Sequence, residues 1–352
     1  MCATVLVPKI TIGLDLGDRR SHLCVLDAGG AVLEEGTVAT TLADLEAAFA
    51  RRAPGRVVLE AGTHSPWVAR ALAGWGHEVI VANPSATYGA RRRRKRNDRL
   101  DAAFLARQGR ADPALLSPIQ HRRPEAQAHL AVLRARDQLV RSRTRLINHV
   151  RGAVKAVGGR VRPCSAEAFA TRASAELPPP VADALAPLVA TIGELTARIR
   201  SYDQQVAQLA AGYPETTPLQ RVPGVGPLTA LGYVLLVDDP ARFTIRRDVG
   251  AYFGLVPRLD SSSSAEPQLR ITKAGDELGR RLLVSAAHYI LGPFGPPCDL
   301  RRAGEALMQR GGRNAKKRAV IAVARKLAVL LHRLWVSPQP YDPDWQQRRR
   351  GA

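Results

Sequence analysis

The sequence predicts an α/β domain followed by a mainly helical remainder. Two observations carry that expectation. Short β-rich runs alternate with helically spaced apolar residues between positions 9 and 110, and beyond position 124 the apolar residues recur at steps of three, four and seven.

Three strands open the chain. Lys9 to Leu16, Ser21 to Asp27 and Ala31 to Val38 are β-rich runs, and Asp27-Ala28-Gly29-Gly30 supplies a turn tolerant of positive φ, so the strands are expected to be antiparallel. Leu42 to Arg52 then has helical spacing at Leu42, Leu45 and Phe49. Arg56 to Glu60 reads as a short buried strand, Trp67 to Trp75 as a helix and Glu78 to Ala82 as another strand. Pro84 closes that strand, a basic loop follows, and Asp98 to Gln108 resumes as helix. The order βββαβαβα is that of RNase H-like (RuvC-like) domains, in which the fourth strand lies beside the first.

The middle of the chain is helical. From Val181 onward Leu185, Leu188, Ile192, Leu195, Ile199, Tyr202, Val206 and Leu209 form a coiled-coil seam, unless the helix packs on its own domain. An earlier helix, Pro124 to Val157, repeats Leu133, Val140, Ile147 and Val154 every seven residues, with Arg136 and Arg143 interrupting the alternate seam position. The stretch from Gly158 to Pro180 between them is rich in Gly, Pro and Ala, and Pro178-Pro179-Pro180 cannot continue a helix, so a bend or hinge is expected.

A third unit begins near Thr217. Val222-Pro223-Gly224-Val225-Gly226-Pro227 joins a short helix to a second one and resembles a helix-hairpin-helix, whose turn amides at Gly224 and Gly226 would face a phosphate. An ordinary helix corner using Gly for positive φ is the alternative. The Ser-rich loop Asp260 to Ser264 follows, then a helix around Leu278 to Leu291. The last helix, Arg313 to Trp335, has an apolar face and a basic head of Arg313, Lys316, Lys317 and Arg318. The expected segments are thus 8–112, 124–212 with a linker over 158–180, 217–336, and a tail over 337–352.

Charge narrows the function. The formal net charge is +21, with 52 Lys and Arg against 31 Asp and Glu. Such a balance points to a polyanionic partner, since neutralising phosphates releases counterions. The run Arg91, Arg92, Arg93, Arg94, Lys95 and Arg96 suits an RNA or DNA backbone, or is a solvated loop. Membrane insertion is not expected: no apolar run approaches the roughly 20 residues of a spanning helix, and no leader peptide is evident. Cys2, Cys24, Cys164 and Cys298 have neither disulfide-framework nor zinc spacing, and a reducing cytoplasmic, nucleoid-associated location is expected.

Against this basic background, carboxylates stand out. Asp15 lies at the centre of the first strand, Glu60 ends the fourth, and Asp98 and Asp101, three apart, share a helix face. Phosphodiester cleavage by two divalent ions needs carboxylates converging from separate elements, to hold ions about 3.5 to 4 Å apart. An N-cap with a salt bridge to Arg99 or another nearby arginine is the simpler account of the aspartate pair alone.

Several blocks together resemble one family. Ile12-Gly13-Leu14-Asp15, Leu59-Glu60-Ala61-Gly62-Thr63, Val81-Ala82-Asn83-Pro84 and Asn97-Asp98-Arg99-Leu100-Asp101-Ala102 look like the DEDD, RuvC-like domain of the insertion sequence 110 family of transposases, which has kin among DNA invertases. The C-terminal domain of that family is resembled at Val222 to Gly226, Tyr252-Phe253-Gly254-Leu255-Val256-Pro257-Arg258, Ile271-Thr272-Lys273-Ala274-Gly275-Asp276 and Gly312 to Arg318.

The resemblance implies a recombinase. The four carboxylates would bind Mg2+, and a serine after the Gly-Leu-x-Pro motif would attack DNA to form a phosphoserine. By spacing that serine is Ser262, with Ser261 second; Ser263 stands where the family has glycine. A bridge RNA would pair with donor and target DNA, and the chains would dimerise and assemble to a tetramer, the coiled-coil seam holding subunits together. Lys273 joins the expected nucleic-acid contacts. Two other readings stay open: a RuvC-like Holliday-junction nuclease using water, and a basic nucleic-acid-binding scaffold without chemistry.

Overall fold

The computed structural model describes residues 10–85, 97–258, 269–337, 339–345 and 347–348. The chain divides into two compact units, Met1–Arg122 and Arg123–Ala352.

The first unit is built on a five-stranded sheet of order β3-β2-β1-β4-β5. Its strands are β1 (Ile10–Asp15), β2 (Arg20–Asp27), β3 (Val32–Ala39), β4 (Arg56–Glu60) and β5 (Glu78–Ala82). β1, β2 and β3 pair antiparallel, while β1, β4 and β5 run parallel. Gly30, at φ +93°, closes the β2–β3 turn, where Asp27 Oδ1 accepts from the Ala31 amide at 2.8 Å. Three helices complete the unit: α1 (Leu42–Phe49), α2 (Ser65–Gly74) and α3 (Asp98–Ala111).

Alternation along the strands gives the sheet two apolar faces. Ile12, Leu14, Val57 and Leu59 pack with Leu45 and Phe49 of α1 and Val68 and Leu72 of α2. On the opposite face Cys24 and Leu26 pack with Ala102, Ala103 and Ala106 of α3, and Val58 and Ile80 with Leu105. The small residues of α3 let it approach the sheet closely. Asp15 is the last residue of β1, a correction to its expected central position, and this sets it at the strand's carboxyl end.

The second unit opens with two long helices, α4 (Pro124–Ala156) and α6 (Pro179–Ala211), with the short α5 (Phe169–Glu176) between them. Ile147, Val150 and Val154 pack against Leu185, Val189 and Ile192, with Phe169 and Ala173 sealing the cluster. The seam is therefore satisfied within one chain, as an antiparallel helical hairpin. The two arginines that interrupt it are paired: Arg136 Nε lies 2.6 Å from Asp203 Oδ1, and buried Arg143 donates to Glu167 Oε1 at 3.0 Å and Thr196 Oγ1 at 3.2 Å.

The expected linker over 158–180 is partly helical. α5 forms within it because Phe169 and Ala173 have a groove to fill. Pro179 and Pro180 begin α6 rather than ending a helix, since a proline in the first turn lacks only an amide that would have no helical partner.

The remaining helices are α7 (Thr216–Leu219), α8 (Pro227–Val237), α9 (Asp248–Tyr252), α10 (Glu277–Leu291), α11 (Asp299–Gln309) and α12 (Ala315–Val336). One core joins Leu130, Leu133, Val206 and Ala210 of the hairpin to Leu231, Val234, Leu283, Leu327 and Leu331. The 124–212 and 217–336 segments thus share a hydrophobic core. The tail is docked at its described residues, with Tyr341 packed on that core and the Asp299 amide donating to Pro343 O at 2.7 Å. Helix α12 starts at Ala315 rather than Arg313, because Asn314 adopts the left-handed conformation at φ +68°. Among the described residues no helix is long and apolar enough to cross a membrane.

Candidate functional site

The four acidic residues lie on three elements of the first unit that pack together, β1, β4 and α3. Parallel pairing places Gly13 beside Val58 and Leu14 beside Leu59, so Asp15 and Glu60 follow on adjacent strands about 5 Å apart. Gly13 and Val58 both face α3: a Cβ on Gly13 would meet Ala102 O, and one on Gly109 would meet Val58 Cγ2. Two residues further along each strand, Asp15 and Glu60 lie on that same face by alternation.

Helix α3 carries the other two. Asn97 is its N-cap, accepting from the Arg99 amide at 3.1 Å, so Asp98 and Asp101 occupy the first turn where carboxylates favour the helix dipole. Arg99 points to Glu35 of β3, with Nε to Oε2 at 2.8 Å. Arg99 is thus engaged by Glu35. His22, the cross-strand partner of Asp15, brings Nε2 to 3.8 Å from Asp98 Oδ2 and links the strand end to the helix start.

Four carboxylates make a hard-oxygen donor set, suited to Mg2+ and unsuited to a soft metal. The backbone brings their elements together, but the side chains as placed do not close a site. Among the described residues no group of three or more His, Cys, Asp or Glu side chains is placed to hold a metal ion.

In the second unit the turn between α7 and α8 is tight. Gly224 has φ +77°, Gly226 caps α8 in an extended conformation, and Pro227 occupies the first helical turn. Gln220 to Gly226, with Tyr289 and Pro296, line an open depression of about 410 Å3. Arg313, Lys316, Lys317 and Arg318 are all exposed at the start of α12. Cations there oppose the helix dipole, a cost that a bound anion would reverse.

Ser261 and Ser262 lie outside the described residues, as do Arg91 to Arg96. The ends of the serine loop are described. Arg258 N donates to Arg270 O at 3.0 Å and Thr272 N to Val256 O at 2.9 Å, a short antiparallel stem bridged at Pro257 and Ile271. Exposed Lys273, at φ +55°, follows the stem. Below it Gly254 and Gly275 have positive φ and press so close that a Cβ on Gly254 would sit 2.1 Å from Ala274 O.

Arg280 clamps this base. Its Nη1 reaches Phe253 O at 3.3 Å, Lys273 O at 3.1 Å and Ala274 O at 3.3 Å. Asp276 caps α10 through the Gly279 amide and pairs with Arg134 of α4 at 2.9 Å. Sequence reasoning did not single out Arg280 or Arg134. Their partners are backbone carbonyls or distant residues, which leave no periodic trace.

Comparison with known proteins shows the family. Residues 12–158 match a family model described as a transposase, the DEDD type of the IS110 group, and residues 216–296 match one described as the transposase IS116/IS110/IS902 family. The chain is 31% identical to the transposase for insertion sequence element IS1111A of Coxiella burnetii, over 94% of this chain and 90% of that protein. It is 28% identical to the transposase for insertion sequence element IS1328 of Yersinia enterocolitica, over 81% of this chain and 85% of the relative. A pilin gene-inverting protein of Moraxella lacunata is 27% identical over 41% of this chain and 45% of its own.

A basic chain with this sheet and these likenesses is an enzyme of DNA transposition and recombination. Within that class, the chain belongs to the IS110 family of insertion-sequence transposases.

Proposed function

We propose that the protein cleaves, exchanges and rejoins DNA strands under the guidance of an RNA, through a phosphoserine formed on Ser262. In this reading the first unit is an RNase H-like domain whose Asp15, Glu60, Asp98 and Asp101 hold Mg2+. The observation that supports it is the packing of α3 against the neighbouring strands β1 and β4, the three elements that carry Asp15, Glu60, Asp98 and Asp101. A divalent cation would draw carboxylates on these elements together, so side-chain closure would accompany metal binding. The bound ion would stabilise charge on the phosphate oxygens.

Serine is a weak nucleophile until its proton is removed. As its Oγ bonds to phosphorus, the proton passes to a base and the departing DNA oxygen takes the strand's bonding electrons. The ester conserves the phosphodiester's bond energy, which lets a second strand's hydroxyl reverse the step and seal a new junction. The stem Val256–Arg258 and Arg270–Thr272 supports this by holding the ends of the serine loop side by side. The turn at Gly224 and Gly226, read as a helix-hairpin-helix, and the head of α12 would contact DNA backbone, as would Lys273 and Arg91 to Arg96. Donor and target DNA would pair with a bridge RNA on a homodimer that assembles to a tetramer. We place this activity in the bacterial cytoplasm, at the nucleoid.

The test is denaturing electrophoresis of a Mg2+ reaction on nicked target DNA with the RNA that co-purifies. A protein-linked DNA end is expected, absent in Ser262→Ala and retained in Ser261→Ala. Free 5′-phosphate and 3′-hydroxyl ends with full activity in Ser262→Ala would replace the recombinase by a water-using nuclease. Strand cleavage without any divalent ion would remove the metal reading.

A further inference from the structure

The depression beside the Gln220–Gly226 turn is a two-sided structure. One wall is the turn itself, with backbone amides and exposed Arg221; the other is Tyr289 and Pro296. Among the described residues Arg221 is the one charged residue lining it, which makes that lining cationic. Tyr289 is 47% exposed and its ring lies against the turn, where a Cβ on Gly224 would sit 3.1 Å from Tyr289 Cδ1.

The segment beyond Tyr289 is held in one shape. Pro293, Pro296 and Pro297 each restrict φ. Arg301 Nη1 donates to Ile290 O at 3.1 Å, Gly292 O at 2.8 Å and Gly295 O at 2.7 Å, while its Nε is fixed by Glu305 at 2.8 Å. Gly295 is packed so that a Cβ would fall 2.2 Å from Ile290 O. Within this clamped loop Phe294 is 81% exposed.

An aromatic ring held in water by three carbonyl bonds and three prolines gains nothing for the fold. It is preorganised for a flat apolar partner, and its ordering cost is already met in the unbound protein. A DNA-recombining enzyme has such a partner to hand, because a base that leaves the stack exposes a π-face beside an anionic phosphate. Base stacking on aromatic side chains is sequence-tolerant and strong.

We propose that Tyr289 and Phe294 form a stacking platform for one unstacked nucleotide, whose phosphate is met by Arg221 and the turn at Gly224 to Gly226. This deepens the proposed function by naming a substrate feature, a strand distorted at a single nucleotide, and it rests on the chain being a nucleic-acid enzyme but not on the serine or the metal. The nucleotide can come from the DNA or from a guide RNA, whose shared chemistry is an exposed base next to a phosphodiester.

The experiment uses the full chain in EDTA, so that binding is read apart from cleavage. The probes are a DNA duplex with one bulged 2-aminopurine, the matching fully paired duplex, and the same bulge in RNA. Tighter binding of a bulged probe than of its paired control is expected, with a change in 2-aminopurine fluorescence. Phe294→Ala should reduce affinity for the bulged probe about tenfold and leave the paired duplex unchanged, Phe294→Trp should restore it, and Arg221→Ala should lower the salt slope by about one phosphate contact. Whichever bulged probe responds identifies the strand.

Equal affinity of wild type for bulged and paired probes overturns the platform. So does loss of self-association in Phe294→Ala with the bulge preference intact, which would make Phe294 a contact between copies. The exposure of Phe294 makes its variants safe for folding, and a melting curve matching wild type confirms it. Metal-dependent cleavage, measured separately, then shows whether the function proposed above stands without the platform.

Discussion

Gly13 and Ala102 meet backbone to backbone: a Cβ on Gly13 would lie 1.9 Å from Ala102 O and 2.5 Å from Ala106 N. This contact seats α3 on β1 and fixes how far Asp98 and Asp101 stand from Asp15. Gly13→Ala must therefore move a helix, since both obstacles are main-chain atoms. Overpacking of this kind costs about 1 to 3 kcal/mol. We expect a lower melting temperature and, below it, cleavage reduced far more than DNA binding. A variant with unchanged melting and cleavage would show that α3 has room to spare.

Asp98→Asn keeps shape and removes one anionic ligand. Calorimetric titration with Mn2+ or Mg2+ should show metal affinity reduced at least tenfold, and cleavage should be abolished while RNA and DNA binding persist. Asp15→Asn and Glu60→Gln should behave alike. Normal cleavage in any of the three removes that residue from the proposed metal site.

The head of α12 permits a two-sided test. Lys316→Glu should stabilise the unbound protein by about 0.3 to 1 kcal/mol, because an anion suits a helix N-terminus. The same change should weaken DNA binding and lower its salt slope, as should neutralising Arg91 through Arg94. If Lys316→Glu stabilises the protein without altering the slope, the head is a solvated face.

Glu167 provides a pH prediction. Its carboxyl is held below the usual carboxylate range by a backbone hydrogen bond first, opposed by partial burial, and helped by Ser165 and Arg143. A depressed folded value stabilises the protein above the unfolded value near 4.3, and that contribution is lost as pH falls through the folded one. Glu167→Gln should thus lower the urea midpoint at pH 7, and the gap to wild type should close below about pH 4. A gap constant with pH would assign the effect to packing.

Strand runs and long helices were legible because their signals are local. Arg56–Glu60 and Glu78–Ala82 match their expected bounds, and Pro124 does open the first long helix. The partner of the seam was not legible. Leu185, Ile192 and Ile199 display one apolar stripe whether the opposing helix belongs to the same chain or another, and it is the packing on Ile147, Val150 and Val154, with the ion pairs of Arg136 and Arg143, that shows an opposing helix in the same chain. Phe169 lay in a segment that composition marks as linker, because the groove it fills is made by residues before and after it.

What the sequence determined by itself was the kind of residue at each place: four carboxylates in a strongly basic chain, a glycine-bounded turn, a serine loop and the motifs of the family. Tertiary structure decided which of them meet. Asp15 and Glu60 become neighbours only through the register of β1 on β4, and α3 reaches them only because Gly13 lacks a side chain. The physical reason is that residue type and local spacing follow from adjacent positions. Register, close approach and the clamps of Arg280 and Arg301 depend on main-chain atoms brought together by folding.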